Sequence, residues 1–363
     1  MRPEAVEAML PFLSEAFGNP SGAHGVARRA RKALDEARDD VATALGCQPG
    51  EVVFTSGGTE ADNLAVAGVI GARGGVAVCS AAEHHAVLHP VEHVGGRVVG
   101  VDAAGAVDLD RLAAALDDDV SLVSVMLVNN EVGTVTDLAA VAELVRARAP
   151  RASLHTDAVQ AVRYLDVPSV AAVADLLSVS AHKVGGPKGV GALVVRQGTP
   201  LAPLLLGGGQ ERGRRSGTEN VPGIVAFAAA LRATVAERSE LLERLHRLRT
   251  RLADGLVQAV PELSETVPRE RTAPGWCHVC IDGVESEALL FLLDRAGVAA
   301  SAASACSSGA MDPSHVLAAM GVAPSRAGGA LRLSLGRTTT DAEIDVVLEA
   351  LPDAVARLRR PAA

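Results

Sequence analysis

Lysine and aromatic residues are scarce in this 363-residue chain. Aromatic side chains make up 2% of the sequence, and only Lys32, Lys183 and Lys188 are lysines among 34 basic residues. Arginine can replace lysine as a surface charge but not as an amine nucleophile, because the guanidinium group keeps its proton in proteins. The remaining lysines are therefore candidates for chemistry, and the core must be built from Ala, Val and Leu.

Several other features are missing from the sequence. There is no run of 18 apolar residues and no signal peptide, which predicts a cytoplasmic protein without membrane spans. The net charge is −9 and no basic stripe carries interleaved aromatics, so nucleic acid is not an expected partner. No GxGxxG motif supports a dinucleotide site. The five cysteines are odd in number and scattered, which argues against a disulfide framework.

Strand patterns alternate with helical patterns through much of the chain. Strands are predicted at 51–55, 75–79, 97–101, 121–127, 152–156, 174–180 and 190–195. This alternation predicts an α/β fold whose mostly parallel sheet is covered by helices on both faces. A long helical pattern at 222–258 connects the sheet to a smaller α+β C-terminal domain. We expect a large domain at 16–238 and a small domain formed by 1–15 and 239–363.

Lys183 stands at the end of an apolar run and before a Gly-Gly-Pro turn. This position makes it a candidate Schiff-base residue, although a surface lysine at a strand exit would look the same. Asp157 follows the strand 152–156 and precedes Lys183 by 26 residues. Its carboxylate could pair with a protonated ring nitrogen, and Gln160 could donate to a ring oxygen. The alternative for Asp157 is a capping residue that opens a turn.

Two glycine-rich stretches are candidate anion sites. Ser56-Gly57-Gly58-Thr59 lies between a strand and a helix start, where backbone N–H groups and the helix N-terminus favour negative charge. Thr59 with Asp62 resembles a capping box, so an ordinary N-cap turn is the alternative. The stretch 207–218, rich in glycine and arginine, could bind phosphate through Ser216 and Thr218, or could be a solvated loop.

The pair His84 and His85 follows a predicted strand. A neutral imidazole can stack on a planar ring and transfer protons, whereas the alternative is a surface loop or a chance metal pair. No cysteine or carboxylate stands at ligand spacing, so no metal site is predicted. Cys277 and Cys280 would point to opposite faces of a strand, which argues against a redox or metal pair.

Two further residues of the C-terminal part are candidates for chemistry. Cys306 lies in a loop of small, polar residues at 301–309, which favours an accessible thiol. Arg332 lies in the alternating stretch 331–337, opposite the leucines, where its guanidinium fork suits a carboxylate. A surface arginine is the alternative.

Together these stretches resemble the cysteine desulfurases, the NifS/IscS-like group of class V aminotransferases that use pyridoxal 5'-phosphate (PLP). The matching stretches are FTSGGTEADN at 54–63, EHHAVL at 83–88, VNNEVG at 128–133, HTDAVQ at 155–160, SAHKVGGPKG at 180–189, the loop 207–218, SAC at 304–306 and LRLSLGR at 331–337. They occur in the family's order and span nearly the whole chain. The resemblance implies the PLP-dependent aminotransferase fold of type I.

The resemblance also implies roles for individual residues. Lys183 would bind PLP covalently and move protons, Asp157 would pair with the pyridine nitrogen, and Cys306 would be the nucleophile. The other implied cofactor contacts are His84 on the ring, Gln160 on the ring hydroxyl, Gly58, Thr59, Ser180 and His182 on the phosphate, and Thr218 from the other subunit of a homodimer. Asn130 would contact the cofactor or the substrate carboxylate, and Arg332 would hold that carboxylate.

The implied reaction converts L-cysteine to L-alanine and leaves a persulfide on Cys306. The sulfur would pass to a protein acceptor, such as an iron–sulfur scaffold, a tRNA-thiolation enzyme or a biosynthetic sulfur carrier. Alternatives are another PLP enzyme of this fold (a selenocysteine lyase, a cysteine β-lyase or an aminotransferase) and a degenerate homologue that only binds partners. The family usually has a strand before the first helix, and this chain begins just after that point, which could weaken substrate binding or reflect a mis-assigned start codon.

Overall fold

The computed structural model describes residues 1–302 and 314–360, and these form two compact units. The first unit contains Met1–Val99, Leu109–Val128 and Thr136–Arg238. The second contains Gly100–Asp108, Asn129–Val135 and the described residues from Ser239 to Arg360. Within the described ranges, no helix is long and apolar enough to span a membrane.

A seven-stranded sheet forms the centre of the first unit. Its strands are β1 (Val52–Thr55), β2 (Val76–Ser80), β3 (Arg97–Val99), β4 (Val120–Ser124), β5 (Ser153–Asp157), β6 (Leu176–Ser180) and β7 (Gly191–Val195). The order across the sheet is β1-β7-β6-β5-β4-β2-β3. The pairs among β2 to β6 are parallel, whereas β7 is antiparallel to both β1 and β6. The predicted α/β class with a mostly parallel sheet is confirmed.

The helices of the first unit either precede the sheet or connect its strands. They are α1 (Pro3–Leu13), α2 (Gly25–Leu45), α3 (Gly58–Arg73), α4 (His85–His93), α5 (Leu109–Ala115), α6 (Leu138–Arg148) and α7 (Val167–Val170). The helix α8 (Val221–Ala259) begins in this unit and continues into the second. Leu64 and Val69 of α3 lie in one buried cluster with Leu193 of β7, so the helix packs on the sheet through branched aliphatic side chains, in keeping with the scarcity of aromatics.

The second unit contains a three-stranded antiparallel sheet. Its strands are β8 (Leu263–Glu265), β9 (Trp276–Ile281) and β10 (Ala330–Ser334), in the order β10-β9-β8. Its helices are α9 (Ser286–Arg295), α10 (His315–Ala319), α11 (Pro324–Ala327) and α12 (Asp341–Leu358). The capping box of Thr340 and Glu343 begins α12, since each side chain accepts from the other residue's backbone N–H. The sequence did not predict β8 or α11.

The expected assignment of residues 1–15 to the small domain is wrong, because this segment belongs to the first unit. The backbone N–H of Arg2 donates to the Gly185 carbonyl (2.7 Å), and its Nε donates to the Val184 carbonyl (3.1 Å). The guanidinium group also pairs with Glu237. These long-range contacts tie the N-terminus to the turn after β6, and no local sequence pattern reports them.

The expected continuity of residues 16–238 is also wrong. Two short segments, Gly100–Asp108 and Asn129–Val135, belong to the second unit. The Val135 N–H donates to the Arg271 carbonyl (2.9 Å), and Arg271 pairs with Asp102 (2.8 Å). The chain therefore contributes to the second unit twice before it reaches α8.

Candidate active site

A glycine turn at the start of α3 forms an anion cradle. Gly57 precedes the helix with φ 152°, a conformation that favours glycine. A Cβ on Gly58 would lie 2.8 Å from Val159 Cγ2, so a side chain there would collide with the turn that follows β5. The glycines leave the first N–H groups of α3 accessible, and these groups with the helix dipole favour a negative charge. The arrangement suits a phosphate group.

The end of β6 completes this cradle. A Cβ on Gly57 would lie 3.9 Å from Ser180 Oγ, which places the hydroxyl beside the glycine turn. Ser180 Oγ also lies 2.8 Å from His182 Nδ1. Burial, together with the charges of Lys183 and Lys188, lowers the pKa of His182. Gly58, Ser180 and His182 therefore lie close together.

The predicted capping box of Thr59 and Asp62 is wrong. The N-cap of α3 is Gly57, and Thr59 is already an exposed residue of the first helical turn. Asp62 is 1% exposed and lies on the face of α3 that packs on the sheet. The glycine conformation fixes the helix start two residues earlier than the Thr–Asp pattern indicates, so Asp62 cannot reach the N-cap.

Lys183 lies in a 3-10 turn, Ala181–Val184, between the antiparallel strands β6 and β7. The turn is held by hydrogen bonds to its carbonyl groups. Arg163 donates to the Lys183 carbonyl (2.5 Å), and Thr234 donates to the Val184 carbonyl (3.1 Å). Arg2 also donates to the Val184 carbonyl. The lysine backbone therefore has a defined position, and its half-buried side chain starts from a fixed point.

Asp157 is buried at the carboxyl end of β5. Its Oδ1 accepts from the Val159 N–H (2.8 Å). Burial raises the pKa of Asp157 to about 6, while the Val159 N–H and the charge of Lys183 oppose the rise. The charge of the Lys183 amine therefore acts on the carboxylate of Asp157.

Three predicted cofactor contacts of the first unit remain: one caps a helix, one is half-buried and one is exposed. His84 caps α4, and its Nδ1 accepts from the Ala86 N–H (3.1 Å). Gln160 is half-buried in the turn after Asp157. Thr218 is exposed in a loop that is anchored by Glu211, whose carboxylate makes a buried pair with Arg38 (2.6 Å). The stretch 207–218 is therefore not simply a solvated loop.

Asn130 and Arg332 both belong to the second unit. Arg332 Nη1 donates to the Asn130 carbonyl (2.8 Å), and Trp276 Nε1 donates to the same oxygen (3.3 Å). Arg332 Nε is buried without a hydrogen-bond partner among the described residues. An arginine that keeps a buried N–H unsatisfied is a candidate for binding an anionic ligand.

Cys306 lies outside the described residues, so its predicted role stays a prediction. The other four cysteines are free, and burial is the main cause that raises the pKa of each thiol. The pKa rises to about 11 for Cys47 and to about 12 for Cys277. Cys277 and Cys280 are both buried in β9.

A buried polar group beneath Asp157 was missed by the sequence reasoning. His155 Nδ1 lies 2.8 Å from Ser124 Oγ, and its Nε2 lies 2.9 Å from Ser178 Oγ. The Asp62 Oδ1 is 3.6 Å from the same Nε2. The one available signal was the period-two placement of His155 and Asp157 on β5, which puts both side chains on one face of the sheet.

Comparison with known proteins agrees with this geometry. The Aminotransferase class-V family model matches residues 1–347. Cysteine desulfurase IscS of Methanosarcina thermophila is 43% identical over 367 residues, covering 99% of this chain and 90% of the relative. A cysteine desulfurase of Cereibacter sphaeroides is 45% identical over 368 residues, covering 99% of this chain and 94% of the relative.

Solved structures give the same result. A NifS-like protein superposes with a TM-score of 0.91 at 36% identity, covering 98% of this chain and 96% of that chain. The structure of SspA in complex with cysteine superposes with a TM-score of 0.80 at 31% identity, covering 92% and 95%. The chain therefore belongs to the class-V aminotransferases and, within them, to the cysteine desulfurases.

Proposed function

We propose that this chain is a PLP-dependent enzyme that converts L-cysteine to L-alanine and passes the sulfur to an acceptor protein. The observation that carries the proposal is the convergence of Lys183, Asp157 and the Gly57–Ser180 cradle in a chain 43% identical to a cysteine desulfurase. An amine, a carboxylate and an anion cradle are the three groups that PLP requires from a protein.

The residues of the first unit fit PLP. The N-terminus of α3 with Ser180 and His182 would hold the phosphate, and Asp157 would hold the protonated ring nitrogen. Lys183 would bind the aldehyde carbon, with His84 against the ring and Gln160 near the ring hydroxyl. Thr59, exposed in the first turn of α3, is included on the basis of the family resemblance. When bound, PLP supplies an electron sink that makes the α-proton of the substrate acidic.

The chain's own residues then handle protons and sulfur. Arg332, with Asn130 next to it, would hold the substrate carboxylate, and the Lys183 amine would take the α-proton. The Cys306 thiolate would attack the sulfur of L-cysteine. A sulfur–sulfur bond forms as the carbon–sulfur bond breaks, and the electron pair of that bond stays with the three-carbon product. The product takes up protons and leaves as L-alanine, while Cys306 keeps a persulfide.

We further propose that the chain works in the cytoplasm as a homodimer, in which the partner's Thr218 contacts the cofactor phosphate. Thr218 is exposed in the described chain, and Phe17 and Leu206 are exposed to 76% and 83%. Large exposed apolar side chains are typical of surfaces that another protein covers. The sulfur acceptor would be an iron–sulfur scaffold, a thiolation enzyme or another sulfur carrier.

Product analysis tests the reaction. PLP-loaded protein mixed with L-cysteine and a reductant should release alanine and sulfide in equal amounts. Pyruvate and ammonia would instead indicate a β-elimination lyase, and the proposed role of Cys306 would be wrong. A PLP-loaded protein that yields neither pair of products would contradict the choice of substrate.

The affinity of the cofactor-free protein for PLP should fall as the pH drops through about 6. The raised pKa of Asp157, about 6, leaves a full carboxylate only above that pH. A protonated Asp157 gives no charge to the ring nitrogen, so we expect roughly a tenfold loss of affinity per pH unit below the midpoint. The pH dependence of folding stability has the opposite sign. The raised pKa of Asp157 stabilises the folded state at pH values below the usual aspartate pKa, and this stabilisation is lost as the pH rises through about 6.

Equilibrium titration with PLP across this pH range measures the effect. The Asp157→Asn variant is the matched control, since it should bind PLP more weakly and lose this limb of the pH dependence. A wild-type affinity that stays constant through pH 6 would contradict the role of Asp157.

Replacing Arg332 by lysine should raise the KM for L-cysteine by about 10- to 100-fold, with a smaller change in kcat. Lysine keeps the charge but cannot form the two parallel hydrogen bonds that a guanidinium fork gives to a carboxylate. Steady-state kinetics at saturating PLP measure the change. Arg337→Lys is the control, because Arg337 is exposed five residues further along the chain. An unchanged KM in Arg332→Lys would exclude the carboxylate role.

A further inference from the structure

Asp62 is the terminal member of a buried polar chain that crosses three strands of the first unit's sheet. The Asp62 carboxyl group on α3 lies beside the Ser178 hydroxyl on β6, and its Oδ1 is 3.6 Å from His155 Nε2 on β5, without a hydrogen-bond partner among the described residues. Ser178 Oγ lies 2.9 Å from His155 Nε2 on β5, and His155 Nδ1 lies 2.8 Å from Ser124 Oγ on β4. Each of these four side chains is no more than 1% exposed. This polar chain has no assigned role in the proposed reaction, because none of its four members is an expected cofactor contact.

Three carboxyl groups lie close together at this place. Asp62 is near Asp157 and Glu83, and the negative charge of each raises the pKa of Asp62 beyond the effect of burial. Glu83 is also fully buried, and its Oε1 accepts from the Met126 N–H (2.6 Å). Burial, with the charge of Asp157, raises the pKa of Glu83. The positive charge of Lys183 acts on Asp157 and compensates its carboxylate. Ionising Asp62 and Glu83 as well would cost free energy.

The donor and acceptor roles along this polar chain can be assigned in only two ways. His155 is neutral, since burial lowers its pKa to about 3, and a neutral imidazole has one N–H and one acceptor nitrogen. If Asp62 carries a proton, it donates to Ser178, Ser178 donates to His155 Nε2, and His155 Nδ1–H donates to Ser124. If Asp62 is charged, every bond reverses and His155 carries its proton on Nε2.

We propose that Asp62 is a positioning residue that holds a proton beneath Asp157, so that Asp157 is the one charged carboxylate of the cluster. The Ser178–His155–Ser124 chain accepts the hydrogen bond of the neutral Asp62 and fixes His155 in the Nδ1–H form. This arrangement balances the charge, because the single carboxylate faces the single cation. The groups that face Asp62 are Asp157, Glu83, His155 and Ser178.

The consequence for the cofactor rests on the proposed function. A charged Asp62 would push a proton onto Asp157 and remove the charge that the pyridinium nitrogen needs. A neutral Asp62 leaves Asp157 free to lose its proton near pH 6. Asp62→Asn should therefore keep the pH midpoint of PLP affinity, because one neutral hydrogen-bond donor replaces another. A charged Asp62 predicts instead that this substitution lowers the midpoint.

Infrared spectroscopy tests the proton directly and does not depend on the reaction. The infrared difference spectrum between the full-length wild type and Asp62→Asn is recorded at a pH above the pKa of Asp157. It should contain the carbonyl band of a protonated carboxylic acid. Loss of carboxylate bands instead would overturn the proposal. Asp35→Asn is the matched control, since Asp35 is an exposed partner of Arg31 and should remove carboxylate bands.

Nitrogen NMR of histidine-labelled wild type gives a second reading without any change at Asp62. The signal of His155 is assigned by its shift in Ser124→Ala. A proton on Nδ1 at neutral pH supports the hydrogen bond from a neutral Asp62 to Ser178, and a proton on Nε2 refutes that bond. If the wild type fails to bind PLP, the proposed function fails, but the infrared and NMR outcomes still decide the state of Asp62.

Discussion

Replacing Cys306 by alanine should abolish sulfur transfer from L-cysteine, with a loss of at least about 10³-fold, because the nucleophile of the reaction is removed. Cofactor binding should be unchanged, since no expected PLP contact involves this side chain. The thiolate is the reactive form of cysteine. The four described cysteines are poor sources of thiolate, because burial raises the pKa of every one of them.

Cys47 is the strongest competitor for this role, because it is the only one of the four described cysteines that is not buried. With a pKa of about 11, it would hold only about one thiolate in 10⁴ molecules at pH 7. Cys47→Ala is therefore the matched control and should keep full turnover. The measurement is labelled sulfur on the protein after a single turnover without reductant. Labelled Cys306→Ala protein, or unlabelled Cys47→Ala protein, would contradict the assignment.

Replacing Lys183 by alanine should reduce turnover by at least roughly 10³-fold, since both the amine nucleophile and the base for the α-proton are lost. Lys183→Arg should be equally inactive, because a guanidinium group does not give up its proton. The covalent link between cofactor and protein should disappear from the absorption spectrum in both variants. A variant that keeps this link would refute the role of Lys183.

The scarcity of lysine makes the assignment easy to check. Borohydride reduction of the PLP-loaded protein fixes the cofactor on its lysine, and only Lys32, Lys183 and Lys188 are present. Peptide mapping should locate the label on Lys183. Lys188→Ala is the matched control, because Lys188 is exposed five residues away and should tolerate replacement with unchanged turnover.

The sequence was sufficient to predict the parts of the site that depend on strand ends. Asp157 ends β5 and Lys183 follows its neighbour β6, and parallel strands have their carboxyl ends at the same edge of a sheet. The glycine turn before α3 was also predictable, because its conformation is local. These features depend on short-range patterns, and each could be recognised from a few adjacent residues.

The parts that could not be predicted depend on long-range packing. Asp62 looked like a capping residue, and only the packing of α3 on β5 and β6 makes it a buried neighbour of Asp157. Likewise, Arg2 donates hydrogen bonds to residues more than 180 positions away, so the unit to which residues 1–15 belong could not be predicted from their own sequence. The membership of Asn130 in the second unit depends on contacts with β9 and β10.

The antiparallel pairing of β6 and β7 restricts how the lysine turn can evolve. Parallel neighbours are joined by helical crossovers, whose surface loops tolerate added or lost residues. The connection between Ser180 and Gly191 is a short return without an α-helix, and Gly185 bends it with φ 87°. An inserted or deleted residue would displace Lys183 relative to Asp157. Insertions and deletions among related sequences should therefore occur in the crossovers, whereas the connection between Ser180 and Gly191 should differ only by substitutions.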